Sequence, residues 1–141
     1  METVLAVDVG GTKVAAGRVS ADGRLLVRAA RATPAEGDAE DVLDAVLDAV
    51  AEVRASDEMA VGVGCGGPMT AGGAEVSPLN IPAWRGFPLR ARLGAALALP
   101  VHVDNDAKAL ALGEGWVGAA RGERDFVALV VSTGVGGGIV L

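Results

Sequence analysis

The sequence predicts an α/β fold, and three observations carry that prediction. Short apolar strands alternate along the chain with amphipathic helical segments. About half of the 141 residues are hydrophobic, which is enough to bury a core in one domain. Glycine accounts for 21 residues and clusters at or near strand ends, at Gly10–Gly11, Gly62–Gly73 and Gly134–Gly138. Glycine at such places lets another group approach the backbone closely.

The N-terminal third is predicted to form three antiparallel strands. Thr3–Val9 and Lys13–Val19 are predominantly apolar runs that flank Gly10–Gly11. That pair predicts a two-residue hairpin turn, because both turn positions favour positive φ. Asp22–Gly23 is a second turn signal, and it leads into a predicted strand at Arg24–Ala32.

The segment Asp38–Arg54 is predicted to be an amphipathic helix. Its valines recur at spacings of three and four residues and so share one face, at Val42, Val46, Val50 and Val53. Acidic residues fill its first turn, where the helix dipole favours negative charge.

The rest of the chain alternates strands, loops and helices. Strands are predicted at Met59–Val63, Val101–Val103, Phe126–Ser132 and Val135–Leu141, helices at Pro88–Leu97 and Asn105–Trp116, and an irregular segment at Gly64–Gly86. Because the chain ends inside a strand-like run, we expect it to be part of a longer protein.

Composition excludes several function classes. The net charge is −6 and no basic patch occurs, so nucleic acid is not an expected partner. No uncharged apolar stretch reaches the roughly 18 residues of a membrane span, and no signal peptide is recognisable. The single cysteine, Cys65, cannot form an internal disulfide, and a cytoplasmic location is expected.

The first candidate motif is DVGGTK. Asp8, Thr12 and Lys13 surround the turn at Gly10 and Gly11. A carboxylate, a hydroxyl, an amine and bare backbone N–H groups would suit a phosphate accompanied by Mg²⁺. An ordinary hairpin would explain the glycines alone, and the segment is not a Walker A loop.

A second glycine motif, VGVGCGGP, does not predict dinucleotide binding. Gly62, Gly64 and Gly67 match the G-x-G-x-x-G spacing after a strand. That fingerprint must open a helix, whereas Pro68 and the residues after it predict a loop. Cys65 within the motif is expected to be a small buried hydrophobic residue.

The segment VHVDNDAKALALGEGW places three polar residues, Asp104, Asn105 and Asp106, between a strand and a helix. Ligands of α/β sheets bind at such strand ends, and an ionised Asp106 could accept a proton from a hydroxyl. The alternative is a helix-capping cluster. His102, the one histidine, is expected to be structural.

The last motif, STGVGGG, is a second glycine turn that could contact phosphate. Ser132 and Thr133 precede Gly134, Gly136, Gly137 and Gly138. The alternative is a flexible hairpin. Two glycine turns with hydroxyls, and a carboxylate between them in sequence, together predict phosphoryl transfer to an alcohol.

These motifs together resemble the N-terminal part of the ROK family of sugar kinases and repressors, and bacterial glucokinases in particular. The matching segments are DVGGTK, GVGCGGP, SPLNIPAW, VDNDAKALALGE and STGVGGGIV. The resemblance implies an actin-like, ribonuclease-H-like ATPase fold with a mixed sheet and flanking helices. It further implies an N-terminal α/β domain over residues 1–120 and the first strands of a second domain over 121–141.

The resemblance also implies roles for individual residues. Asp106 would be the catalytic base, and the sugar contacts would be Gly67, Asn80, Asn105 and Asp106. The first phosphate motif would comprise Asp8, Gly10, Gly11, Thr12 and Lys13, with Asp8 near Mg²⁺. The second would comprise Thr133, Gly134, Gly136 and Gly137.

Two mild departures from the family pattern are Gly66, where many members have proline, and Asp104, where many have glutamate. The zinc motif of the family would lie beyond Leu141, and one cysteine cannot build it. The chain alone is therefore expected to be inactive. The unpaired edge at Val135–Leu141 predicts self-association, and a homo-oligomer is expected.

The function implied is ATP-dependent phosphorylation of a hexose, with glucose as the expected sugar, ATP and Mg²⁺ as cofactors and no nucleic acid or membrane partner. One alternative is a non-catalytic, sugar-sensing regulator of the same family. The other is an N-acetylhexosamine or fructose kinase. The intact segment Asp104–Asp106 favours catalysis over regulation.

Overall fold

The computed structural model describes residues 1–132 and 134–141 and is built on a five-stranded sheet of order β3-β2-β1-β4-β5. Its elements are β1 (Thr3–Val9), β2 (Lys13–Ser20), β3 (Leu25–Ala32), α1 (Ala39–Val53), β4 (Glu58–Cys65), α2 (Leu89–Leu97), β5 (Val101–Asn105), α3 (Asp106–Val117), β6 (Phe126–Val131) and β7 (Val135–Val140). β1, β2 and β3 pair antiparallel, whereas β1, β4 and β5 pair parallel. The predicted mixed sheet with flanking helices is confirmed.

The core lies between one face of the sheet and α1, and the buried leucines of α2 belong to the same cluster. Strand β1 alternates strictly, and its inward residues Leu5, Val7 and Val9 are buried. The predicted valine stripe of α1 is buried against them. Asp38 caps this helix by accepting hydrogen bonds from the backbone N–H groups of its first turn. Within the described part of the chain, no helix is both long and apolar enough to span a bilayer.

The strands β4 and β5 are longer than the sequence predicts. Both continue to Cys65 and Asn105, because Gly64 pairs with Asp104 and Cys65 with Asn105 across the parallel ladder. Pairing between distant strands thus extends segments whose own periodicity ends earlier. Helix α3 consequently begins at Asp106, with Asn105 as its N-cap.

The expected two-residue turn at Gly10–Gly11 is wrong. Strand pairing ends at Val9 and Val14, so the connection is longer, and the N–H of Gly10 donates to the carbonyl of Lys13 at 3.0 Å. Neither Gly10 nor Gly11 has a positive φ, whereas Gly23 in the second turn does, at 82°. Glycine is therefore needed at these two positions because neighbouring atoms lie too close for a side chain, and not because the turn requires a positive φ.

Strands β6 and β7 form a separate antiparallel pair that packs on α3. Glycines permit this close approach, because a Cβ at Gly136 would lie 3.2 Å from the Cβ of Ala107 and one at Gly138 would lie 2.6 Å from that of Ala111. The hairpin shares no ladder with the five-stranded sheet. The domain boundary near residue 120 stays a prediction.

Candidate active site

Three parallel strands end at one edge of the sheet and bring distant motifs together. Asp8 of β1 pairs with Gly64 of β4, which pairs with Asp104 of β5. One residue further, Cys65 pairs with Asn105. The segments that follow these strands, two loops and helix α3, therefore start side by side, where open α/β sheets bind ligands.

The first glycine turn is fixed by a threonine from the end of β3. The hydroxyl of Thr33 donates to the carbonyl of Gly10 at 2.7 Å, and the N–H of Thr33 donates to the carbonyl of Thr12 at 3.0 Å. Thr33 itself is buried. These two hydrogen bonds hold the backbone of the turn, while the side chains of Thr12 and Lys13 are exposed.

Asp106 stands at the N-terminus of α3. Asn105 caps the helix by accepting from the N–H of Ala107 at 3.0 Å, and the carboxylate of Asp106 accepts from the same group at 2.9 Å. The helix lies directly on β4, since a Cβ at Gly64 would be 3.4 Å from the Cα of Asp106. Asp106 thus combines an exposed carboxylate with a rigidly held backbone.

The segment Pro78–Gly86 carries Asn80 to the glycine turn. Its anchor is the fully buried Trp84, whose indole N–H donates to the carbonyl of Ala39 at 3.0 Å. The ring of Trp84 stacks on Phe87, with the ring centroids 4.5 Å apart. At the other end of the segment, a Cβ added to Gly11 would overlap the Cβ of Asn80.

Two cavities meet at this edge of the sheet. A cleft of about 1680 Å³ is lined, among others, by Asp8, Gly11, Thr12, Asn80, Asp106, Ser132, Gly134 and Gly136. A pocket of about 110 Å³ is lined, among others, by Gly10, Gly11, Gly67, Asn80 and Asp106. Three residues belong to both walls: Gly11, Asn80 and Asp106.

Some of the predicted site residues do not line either cavity. Lys13 is exposed beside the turn, and Asn105 lies behind Gly67, whose Cβ position is 3.8 Å from the side-chain nitrogen of Asn105. Gly137 faces strand β6, because a Cβ there would lie 2.8 Å from a methyl group of Leu129. Thr133 is outside the described residues.

The carboxylates of the site influence one another. Desolvation in the cleft, followed by the negative charge of Asp106, raises the pKa of Asp8 above its ordinary value. The positive charges of Lys13 and Arg28 oppose this rise in pKa. Asp8 and Asp106 are therefore close enough to repel, an arrangement that a cation or several hydrogen-bond donors would relieve.

Cys65 is buried, as the sequence predicts, and its environment makes the thiol unreactive. The residue is fully buried. Burial, followed by the charges of Asp106 and Asp8, raises the pKa of its thiol to about 12. A thiol held neutral is a poor nucleophile, so Cys65 has no chemical part in the site.

The structure adds cleft residues that sequence reasoning missed. Arg28 of β3 and Arg90 of α2 both line the large cleft. The register aligns Arg28 with Gly17 and Ala6, so small neighbours leave its side chain open to the cleft. The expectation that His102 is a structural residue is wrong, because it is exposed on the same wall. In β5 its neighbour Val103 takes the inward position, which turns His102 outward.

The donor set fits Mg²⁺ in the form that accompanies a nucleotide. Mg²⁺ keeps several waters and takes one or two carboxylates together with substrate phosphates. Asp8, with a raised pKa and a second carboxylate nearby, supplies such an oxygen donor. The described residues contain no cluster of three or more His, Cys, Asp or Glu suited to hold a metal by themselves.

Comparison with known proteins identifies one family. The model of the ROK family matches residues 4–141. The crystal structure of a ROK family glucokinase from Streptomyces griseus, in complex with glucose and AMPPNP, superposes with a TM-score of 0.89 and 41% identity, covering 99% of this chain and 44% of that one.

Curated relatives include kinases of two sugars. The glucokinase of Thermotoga maritima is 39% identical over 140 residues, which are 97% of this chain and 44% of the relative. The N-acetyl-D-glucosamine kinase of Citrobacter koseri is 40% identical over 136 residues, which are 95% of this chain and 45% of the relative. The chain thus spans less than half the length of these relatives.

Proposed function

The chain belongs to the ROK family. We propose that it forms the N-terminal part of an ATP-dependent hexose kinase whose preferred sugar is glucose. The proposal is supported by similarity to glucokinases along almost the entire chain. We likewise propose that the longer protein is cytoplasmic and forms a homo-oligomer.

One observation carries the assignment of the site. Gly11, Asn80 and Asp106 belong to the walls of both cavities, so the small pocket opens onto the large cleft at these three residues. A sugar in the small pocket would present a hydroxyl at the opening. A phosphate chain in the cleft would meet that hydroxyl beside Asp106, which is the proximity that phosphoryl transfer needs.

In the proposed reaction the sugar oxygen bonds to the terminal phosphorus while the bond to the departing ADP oxygen breaks. Asp106 accepts the hydroxyl proton as general base. Asn80 and the backbone at Gly67 orient the sugar, and Asn105 supports that loop from behind. The glycine turns at Gly11 and Gly134 admit the phosphates to the backbone. Mg²⁺ held at Asp8 would neutralise charge on the phosphates.

The direct test is a coupled ADP-release assay on the longer protein with ATP and a panel of hexoses. Turnover of glucose is expected, at a rate that depends on both substrates. Sugar binding measured by calorimetry without turnover would instead indicate the regulator. Neither binding nor turnover of any hexose would refute the proposal.

A second candidate substrate is N-acetyl-D-glucosamine. It is favoured by the N-acetyl-D-glucosamine kinase relative, which is as similar in identity as the glucokinases. The same assay separates the two, because the preferred sugar will have the higher kcat/KM.

A further inference from the structure

The loop that carries Asn80 is built from two consecutive tight turns. The N–H of Ile81 donates to the carbonyl of Pro78 at 3.1 Å, and the N–H of Trp84 donates to the carbonyl of Ile81 at 3.0 Å. Apolar packing fixes the inward side, where Ile81 and Trp84 are buried. The tip has no such support, since Leu79 is 77% exposed.

The side chain of Arg85 ties these two turns together. Its Nη1 atom donates to the carbonyl of Pro78 at 2.8 Å, to that of Trp84 at 2.6 Å and, more weakly, to that of Ile81 at 3.2 Å. The carbonyls of Pro78 and Ile81 therefore each accept one hydrogen bond from a backbone amide and one from the guanidinium of Arg85. A permanently charged donor makes stronger hydrogen bonds than a neutral one.

Asn80 lies in the first of these turns, between the Pro78 and Ile81 carbonyls that accept hydrogen bonds from Arg85. Asn80 lies against Gly11 and lines the small pocket, where Pro78, Leu79 and Ile81 also form the wall. We propose that Arg85 is a positioning residue that fixes this loop so that Asn80 faces the sugar pocket. This inference rests on the proposed function, because a sugar must occupy the pocket for Asn80 to bind it.

The first test compares Arg85→Met with Arg24→Met in steady-state kinetics of the longer protein. Loss of the hydrogen bonds from Arg85 to the loop should raise the KM for the sugar about fivefold or more and leave the KM for ATP unchanged. Arg24→Met removes an equally charged side chain whose partner is the exposed Asp22, and should leave both constants unchanged. An unchanged sugar KM in Arg85→Met would overturn the proposal.

A double-mutant cycle with Asn80→Ala asks whether Arg85 acts through Asn80. If it does, Arg85→Met should raise the sugar KM by less than about twofold once Asn80 is already alanine. Effects of the two substitutions that simply multiply would mean that Arg85 acts elsewhere, and would refute the positioning role.

Hydrogen exchange separates this inference from the kinase proposal. In Arg85→Met the amides of Ile81 and Trp84 should exchange at least about tenfold faster, while those of β1 keep their protection. Exchange needs no substrate, so a wild-type protein that turns over no sugar would refute the kinase proposal alone. Unchanged exchange at both amides would refute the role of Arg85 whatever the sugar assay shows.

Discussion

Asn80 occupies the space that a side chain at Gly11 would need. A Cβ added there would overlap the Cβ of Asn80 and lie 3.0 Å from the backbone carbonyl oxygen of Asn80. The proposed phosphate turn and the proposed sugar loop are therefore in direct contact, and a side chain added at Gly11 must displace Asn80.

Gly11→Ala should damage sugar binding although Gly11 belongs to the proposed phosphate turn. The new methyl group must displace Asn80, at an overpacking cost of about 1–3 kcal/mol. We expect the sugar KM to rise about tenfold and the melting temperature to fall. A variant with only its ATP KM altered would contradict this contact.

Gly113→Ala is the matched control for that substitution. A Cβ at Gly113, inside α3, meets nothing within 4 Å. Alanine there should leave the kinetics unchanged and stabilise the fold by about 0.5–1 kcal/mol, because glycine is a poor helix former.

Asp106→Asn should lower turnover by about 10²–10⁴-fold and leave the fold intact. The amide cannot accept the hydroxyl proton, but its oxygen can still accept from the N–H of Ala107 beside the Asn105 cap. Single-turnover kinetics and a thermal melt measure the two effects. Near-normal turnover would remove Asp106 from the role of base.

Asp8→Asn should stabilise the protein at neutral pH. Desolvation and the charge of Asp106 raise the pKa of Asp8 in the folded state above the ordinary value of 3.8. The ionised carboxylate is thus a cost to the folded state above that raised pKa, and the cost disappears as the pH falls toward 3.8.

Urea unfolding of wild type and Asp8→Asn across pH 4–7 measures this difference. The advantage of the variant in unfolding midpoint should be largest at pH 7 and shrink on acidification, while its kinase activity is lost. A midpoint below that of the wild type at pH 7 would show that favourable contacts of Asp8 outweigh its desolvation.

Cys65 should not react with a thiol reagent in the folded protein. Its thiol is fully buried and has a pKa of about 12, so the reactive thiolate is scarce at pH 8. We expect labelling by a disulfide reagent to require unfolding in urea. Rapid stoichiometric labelling of the native protein would contradict the burial.

Ile139→Lys should weaken the self-association expected of the 141-residue chain. Ile139 on β7 and Leu129 on β6 are 70% and 65% exposed on a strand pair that no further strand covers in the described chain. A lysine on such a strand opposes pairing with another copy. Light scattering coupled to size exclusion should show a smaller mass than wild type.

Met59→Lys, at a similarly exposed apolar residue on β4, is the control and should not change the mass. A wild-type chain that elutes as a clean monomer would refute the expected association itself.

Much of the fold is readable from local sequence. The alternation of β1 and the valine stripe of α1 involve residues within a few positions of one another, so their pattern predicts strand and helix directly. Asp38, which the sequence places in the first turn of the helix, is its N-cap in the structure. The motifs around Asp8 and Asp106 likewise stand where parallel strands end, which is where a ligand site is expected.

The arrangement of the site depended on contacts between distant segments. Sequence explained Gly10–Gly11 by backbone handedness, whereas the structure explains Gly11 by the approach of Asn80. Gly136 and Gly138 are likewise small because α3 lies against them. Such reasons cannot be read locally, because a glycine looks the same in sequence whether it frees its own dihedral angles or makes room for a neighbour. Only the packed chain shows which neighbour comes close.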